Sequence, residues 1–383
     1  MKIYIYTASY PTDINRIKSE GTKKAIHILA SGLVLCGAEA IVLCEGDRSD
    51  STIMPEGYLI QCFYNPRPGV RKFNIASGLK VFLKNHISKK DILILSGIMQ
   101  PKIYALSVFL KENMVPYVAW PHDPYAPYFF KKNAHLKWIY WFLFEKKMLQ
   151  NGRAVQVLDS EHVTFLRSLG IKTPTIAVPN GFLPGEVCPE TMLEWDEGGE
   201  SVPKIFYMGR LTYSKGLDLL IDSFAQVIKT NDARLIIQGR DQGIKRYLLK
   251  KITSNFISNK VSFLKPDYDI PTPLIIKNYD ILCLPSRFEG FGLVALEAML
   301  AGRVVLVTSI SGIASHVKAS GCGVVVNSEV SAIASGLTEL LRRRSEWKEM
   351  GLKGRRYALE YLNPKKIAST ALAHYVKNMG KLL

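Results

Sequence analysis

The 383-residue sequence has no Cys-x-x-Cys pair; its six cysteines (Cys36, Cys44, Cys62, Cys188, Cys283, Cys322) are scattered, several of them inside apolar runs. That spacing excludes a zinc-ribbon or disulfide framework and fits a chain kept in a reducing compartment without structural metal. No uncharged apolar run reaches the roughly 18 residues that a membrane-spanning helix needs. The opening MKIYIYTASYP breaks into polar residues and proline before an apolar core of secretory-signal length forms, so a cytoplasmic protein is expected. No helix-turn-helix, zinc or RNA-recognition pattern appears, which removes nucleic acid as a favoured partner. Acidic residues are the scarcer charge: 33 Asp and Glu against 50 Lys and Arg leave a net charge of +17. A basic surface attracts polyanions, among them anionic lipid headgroups and phosphorylated substrates.

The length exceeds what one ordinary core fills, and 48% hydrophobic with 22% charged residues is globular composition, so two domains are expected. Short apolar runs alternate with helix-like segments. KIYIYTA, AIVLC, DILILSG and VPYVAW read as strands of a first series, and KIFYMG, RLIIQG, VSFL, YDILCLPS and RVVLVT as strands of a second. Such alternation implies βαβ units and parallel sheets buried on both faces. An acidic, glycine-bearing segment, EWDEGGE at 194–200, reads as an exposed linker between the two series. The expected division is therefore 1–183, a linker at 184–202, 203–363, and a terminal segment at 364–383. Ligands of doubly wound sheets bind beyond the carboxyl ends of the strands, so the loops after these runs are where chemistry is sought.

The most informative stretch is SRFEGFGLVALEAMLAG, residues 286–302, where a strand passes through a glycine-rich turn into a helix. Unpaired backbone N–H groups at Gly292, Leu293 and Val294, with the positive helix end, make an anion site. Glu289 and Glu297 flank it. Carboxylates repel phosphate, so their better use is accepting hydrogen bonds from hydroxyls, as on the ribose in dinucleotide sites. Glu297 lies in a context apolar nearly all round, where an unpaired glutamate is costly. A second stretch, MGRLTYSKGLDLLIDSF at 208–224, places Gly209 and Arg210 after a strand and Lys215 before a helix. The two cations suit one phosphate group, or are two solvated charges at a domain edge.

Together the stretches resemble the retaining GT-B glycosyltransferases of family four (glycosyl transferases group 1), with G-R-x4-K-G upstream of two glutamates separated by seven residues. The resemblance runs over nearly the whole chain and includes Pro179-Asn180-Gly181 before the second domain. It implies an α/β GT-B fold, two Rossmann-like domains facing across a cleft, with a helix from about Pro364 crossing back to the first. It implies that Arg210 and Lys215 hold the diphosphate of a nucleotide-sugar donor, Glu297 the ribose hydroxyls, and Glu289 with adjacent N–H groups the sugar. Gly21, Gly209, Gly239, Leu264, Gly290, Phe291, Gly292, Leu293 and Val294 complete the donor contacts, and His122, in the loop of VAWPHDPYAP, serves the sugar or acceptor. Retention of configuration without a metal or other cofactor is implied too. Asp267-Tyr268-Asp269 is similar to the metal motif of the other glycosyltransferase architecture but lies in a loop after VSFLKP, so no metal ligands are assigned.

One position departs from that pattern. Where family members carry a glycine pair near the donor phosphates, this chain reads Ser19-Glu20-Gly21, and a glutamate beside a diphosphate is unfavourable. The segment KKNAHLKWIYWFLFEKKM at 131–148 combines lysines with Trp138, Tyr140, Trp141, Phe142 and Phe144, which suits either an anionic membrane interface or a core helix with snorkelling lysines. The expected partners are a nucleotide sugar, UDP-linked by preference and carrying glucose, and a glycan or lipid-linked acceptor. A non-catalytic nucleotide-sugar binder, or an epimerase of the same build, is the competing reading.

Overall fold

Short apolar runs become strands, and the segments between them helices, throughout the computed structural model. It describes the chain apart from residues 68, 70, 71, 89, 123, 124, 132, 196–200, 268 and 380–383 and the side chains of Ser19 and Met379. By their contacts the residues divide into two units, Met1–Gly181 with Pro364–Leu383, and Phe182–Asn363.

In the first unit the order is β1 (Lys2–Tyr6), α1 (Ile14–Ser19), α2 (Gly21–Leu35), β2 (Glu39–Gly46), β3 (Asp50–Ile53), β4 (Leu59–Tyr64), α3 (Ser77–His86), β5 (Ile92–Ser96) and α4 (Pro101–Glu112). There follow β6 (Val118–Trp120), α5 (Ala134–Tyr140), a π-turn (Trp141–Glu145), α6 (Lys146–Asn151), β7 (Ala154–Val157), α7 (Val163–Ser168) and β8 (Thr175–Ala177). Among the described residues the eight strands lie in the order β3-β4-β2-β1-β5-β6-β7-β8. All neighbours are parallel except β3, which pairs antiparallel with β4 and caps one edge, a departure from the wholly parallel sheet expected. Strand β1 alternates in residue type yet is buried almost throughout, because helices cover both faces of a parallel sheet.

Ser19-Glu20-Gly21 joins two helices. Ser19 ends α1, Glu20 is the extended residue between helices, and Gly21 opens α2. Helix α15 (Pro364–Met379) packs on α2 in this unit: a Cβ on Gly32 would stand 2.2 Å from the Pro364 carbonyl oxygen, so only glycine permits the approach. The Tyr375 hydroxyl also hydrogen-bonds the Gln156 side chain at the end of β7.

The second unit runs β9 (Lys204–Met208), α8 (Leu217–Val227), β10 (Arg234–Gln238), α9 (Lys245–Ser254), β11 (Val261–Leu264), α10 (Thr272–Ile276), β12 (Ile281–Leu284), α11 (Leu293–Leu300), β13 (Val304–Thr308), α12 (Ala314–Ser320), β14 (Gly323–Val326), α13 (Val330–Arg342) and α14 (Trp347–Tyr361). Its six strands are all parallel, in the order β11-β10-β9-β12-β13-β14. Leu217, Leu220, Ile221, Phe224 and Val227 recur at helical spacing and give α8 its buried stripe. Of the stretch read as linker, residues 184–195 group with this unit: Cys188 is buried, and Trp195 lies under the Arg303 guanidinium at 4.3 Å. The acidic residues 196–200 lie outside the described residues.

Candidate active site

In the second sheet the strand order reverses between β9 and β12, and beyond the carboxyl ends of such a pair the flanking loops diverge to leave a crevice. The loop after β9 supplies Gly209, Arg210 and Lys215; the loop after β12 supplies Glu289 to Gly292. They are joined at their bases. The N–H groups of Arg287 and Phe288 donate to the Ser214 carbonyl at 2.9 and 3.2 Å, and Arg287 forks onto Asp218 at 2.6 and 2.7 Å while lying 4.0 Å over the Tyr213 ring. Gly216 has φ +68°, and a Cβ there would stand 1.9 Å from the Pro285 carbonyl oxygen, so the two loops approach to backbone distance.

This clamp fixes the charged pair above it. Lys215 Nζ donates to Glu289 Oε2 at 2.7 Å, each side chain 16% exposed, and the buried Ser286 hydroxyl reaches the same oxygen at 3.3 Å. Arg210 is exposed, and its carbonyl accepts the Tyr207 hydroxyl at 3.0 Å. Burial pushes the Tyr207 phenol up, with Glu289 acting in the same direction and Arg210 against it. Gly292 has φ +98° and precedes α11 without a side-chain cap; the Ala295 N–H returns to the Gly292 carbonyl, and the N–H groups of the helix start face outward from the body of α11. Ser311 Oγ, in the loop after β13, donates to the Phe291 carbonyl at 2.6 Å and braces the turn. Glu297 is buried within α11. Gly239, after β10, packs against Gly209, while Leu264 closes the edge strand β11 and is 42% exposed.

Sequence reasoning passed over Ser286, Tyr207 and the Arg287–Asp218 fork. Asp218 carried a signal, an acidic residue inside an apolar helix stripe; nothing marked Ser286 or Tyr207. Asp267 accepts the N–H groups of Asp269 and Ile270 in a local turn, and Tyr268 lies outside the described residues.

In the first unit His122 follows β6 with φ +61°, packs tilted against Trp120 with centroids 3.9 Å apart and shares a 2.7 Å hydrogen bond between Nε2 and Ser96 Oγ at the end of β5. Loss of solvent, with Lys23 nearby, drives its pKa down to about 3, so the imidazole is neutral at physiological pH. Lys23, two residues after Gly21, reaches the Thr7 hydroxyl and the Ser9 carbonyl.

A strand-turn-helix with an uncapped glycine start, a lysine paired to a carboxylate beside it and a buried glutamate one turn on offers groups suited chemically to both phosphate and hydroxyl partners. The family model described as glycosyl transferases group 1 matches residues 196–357. Residues 196–357 belong to the glycosyl transferases group 1 family. An uncharacterized glycosyltransferase of Methanocaldococcus jannaschii is 33% identical over 144 residues, 37% of this chain and 36% of that protein. The chain thus spans about a third of the length of that relative. Sucrose-phosphate synthase from Thermosynechococcus elongatus is similar in structure, with a TM-score of 0.74 at 16% identity over 99% of each chain. HepE of Anabaena, solved in complex with UDP and glucose, gives 0.67 at 17% identity over 98% of this chain and 100% of that one. The group 1 domain therefore sits within a chain of GT-B fold.

Proposed function

We propose that this protein is a retaining, metal-independent glycosyltransferase that moves a hexose from a nucleoside diphosphate sugar to a hydroxyl of a glycan or lipid-linked glycan. The observation that carries this reading is the Lys215–Glu289 pair at 2.7 Å beside the Gly292 helix start, with Arg210 at the same end of the sheet. One charge of the pair suits a phosphate oxygen, and the other a hydroxyl of the sugar that the phosphate carries. As the bond from the anomeric carbon to the diphosphate breaks, negative charge gathers on the leaving group. Arg210, Lys215 and the N–H groups of the turn stabilise it, a task that a metal ion performs in other folds. Glu297 receives the ribose hydroxyls, and neutral His122 hydrogen-bonds a sugar or acceptor hydroxyl. A diphosphate oxygen takes the acceptor proton, so no protein base is assigned.

UDP-glucose is the favoured donor; the UDP and glucose in HepE support it by similarity of fold. A lipid-linked acceptor at an anionic membrane surface suits α5 and the π-turn, where Leu136, Ile139, Phe142 and Leu143 are exposed beside Lys131, His135 and Lys147. No described helix is long and apolar enough to cross a membrane. Replacing Arg210 or Lys215 by Ala tests the reading: each should lower turnover at least about tenfold, roughly 1.4 kcal/mol of transition-state stabilisation. Wild-type rates in both folded variants would sink it.

A further inference from the structure

Among the described residues, three of the first unit other than glycine hold left-handed backbone at the carboxyl ends of β5 and β6: Met99 (φ +50°), His122 (φ +61°) and Tyr125 (φ +53°). Such conformations persist only where surrounding contacts over-determine them, and they gather at functional sites. Two of the three are held by one side chain. Glu145 Oε1 accepts the Met99 N–H at 3.0 Å and the Tyr125 O–H at 2.6 Å, joining the loop after β5 to the loop that carries His122. A second tie, Ser96 to His122 at 2.7 Å, links the same two loops.

The helix that delivers Glu145 is altered at that point. The Lys146 N–H returns to the Trp141 carbonyl, five residues back, and the π-turn buries Trp141 and Glu145 together while Phe142 and Leu143 face outward. Trp141 packs edge-on against Tyr125 at 5.2 Å, so one turn grips that residue by ring and hydroxyl. Insertions of this kind recur at functional sites. Glu145 is almost wholly buried, has no cation among the partners described and pays for desolvation: burial pushes its carboxyl up to about 7 despite the two hydrogen bonds. A residue serving packing alone would be better replaced by an apolar one of similar volume.

We propose that Glu145 is a positioning residue that sets the two loops around His122, and so the orientation of the imidazole towards the transferred sugar or its acceptor. The proposal rests on the assignment of His122 to substrate recognition.

The full-length chain with Glu145→Leu, which keeps volume and removes the acceptor, provides the test. UDP release from UDP-glucose, with water as acceptor, should fall about tenfold in kcat while KM stays within about twofold. The Met99 methyl and His122 Cε1–H resonances should move, and those of the Met208 and Met299 methyls should not. Glu145→Gln retains an acceptor oxygen and should restore most of the rate and of both resonances. Tyr125→Phe, which removes one partner from the other side, should shift His122 in the same direction should the Leu variant not fold. Unmoved Met99 and His122 resonances in these variants would overturn the proposal. If instead they move but His122→Ala releases UDP at the wild-type rate, the loops are held as stated and the assignment of His122 is what fails, taking the catalytic part of the proposal with it.

Discussion

At the scale of single residues, the imidazole of His122 is the clearest case of environment setting chemistry. With its pKa driven to about 3 by burial and by Lys23, His122 is neutral wherever the protein is folded near neutrality. The native state therefore disfavours its protonation, and the stability this contributes is complete above about pH 6.5, the ordinary histidine value, and lost as pH falls towards 3. Glu145 acts with the opposite sign in its window. Its carboxyl is raised to about 7, so the folded state prefers the protonated form, and its contribution is complete below about pH 4.5 and lost as pH rises through 7. Melting temperatures of wild type and Glu145→Gln should therefore diverge between these values, the wild type losing ground as pH rises. A difference that stays flat from pH 4.5 to 7.5 would place the Glu145 carboxyl in a solvated setting. Turnover, for its part, should show no inflection near pH 6.5 that His122→Ala removes.

Among elements, the loops after β9 and β12 owe their shape to the Arg287–Asp218 fork and to Gly216, whereas the first unit depends on a buried ion pair. Glu45, at the end of β2, accepts Lys102 Nζ from α4 at 2.8 Å, the Tyr6 hydroxyl at 2.7 Å and the side chain of Asn65; both charged side chains are fully buried. Lys102→Met leaves the carboxylate uncompensated and should cost about 3–5 kcal/mol in denaturant unfolding. A loss below about 1 kcal/mol would mean that the surrounding hydrogen bonds alone carry the charge. The exposed side of α5 and the π-turn makes a different claim. Ile139→Asp with Phe142→Asp should abolish binding to phosphatidylglycerol vesicles at low salt, and wild-type binding should weaken steeply as salt rises. Absence of wild-type binding at low salt would remove the membrane from the account.

How much of this was legible beforehand follows from the length of each signal. Strands of five residues or more with β-branched and aromatic content, such as β1, β5, β9, β10 and β13, stand out between helical stretches. The runs AVQV (β7) and GVVV (β14) are too short to separate from loop or helix by period, and β4 has polar and cysteine positions that dilute its alternation. The edge strand β3, DSTI, is polar because one side faces water. Residues of the loops after β9 and β12 were legible because glycine, cations and carboxylates fell at fixed offsets. Their bracing groups were not: Ser286 and Ser311 act through where the chain folds, and Glu145 within an aromatic helix reads as a surface charge until a π-turn carries it inward. The break between α1 and α2 at Glu20 was missed for a related reason, since a serine, a glutamate and a glycine in sequence favour a loop more than two helices meeting.

For the whole molecule, two doubly wound units each present loops at the carboxyl ends of their strands, and the cations and carboxylates proposed to hold the donor all belong to the second. A nucleotide sugar that binds only the folded state raises stability by mass action, about 2.7 kcal/mol at a hundredfold excess over Kd, so a thermal-shift screen would rank the base and sugar preferred. The central claim is narrower: a diphosphate leaving group is stabilised by Arg210 and Lys215 without a metal ion. Its most direct test is the rate of UDP release from UDP-glucose, measured in excess chelator for the wild type and for the Arg210→Ala, Lys215→Ala double variant. The account predicts release by the chelated wild type at its unchelated rate and a loss of at least about a hundredfold in the folded double variant. Release that stops on chelation, or that survives the loss of both cations, would contradict it.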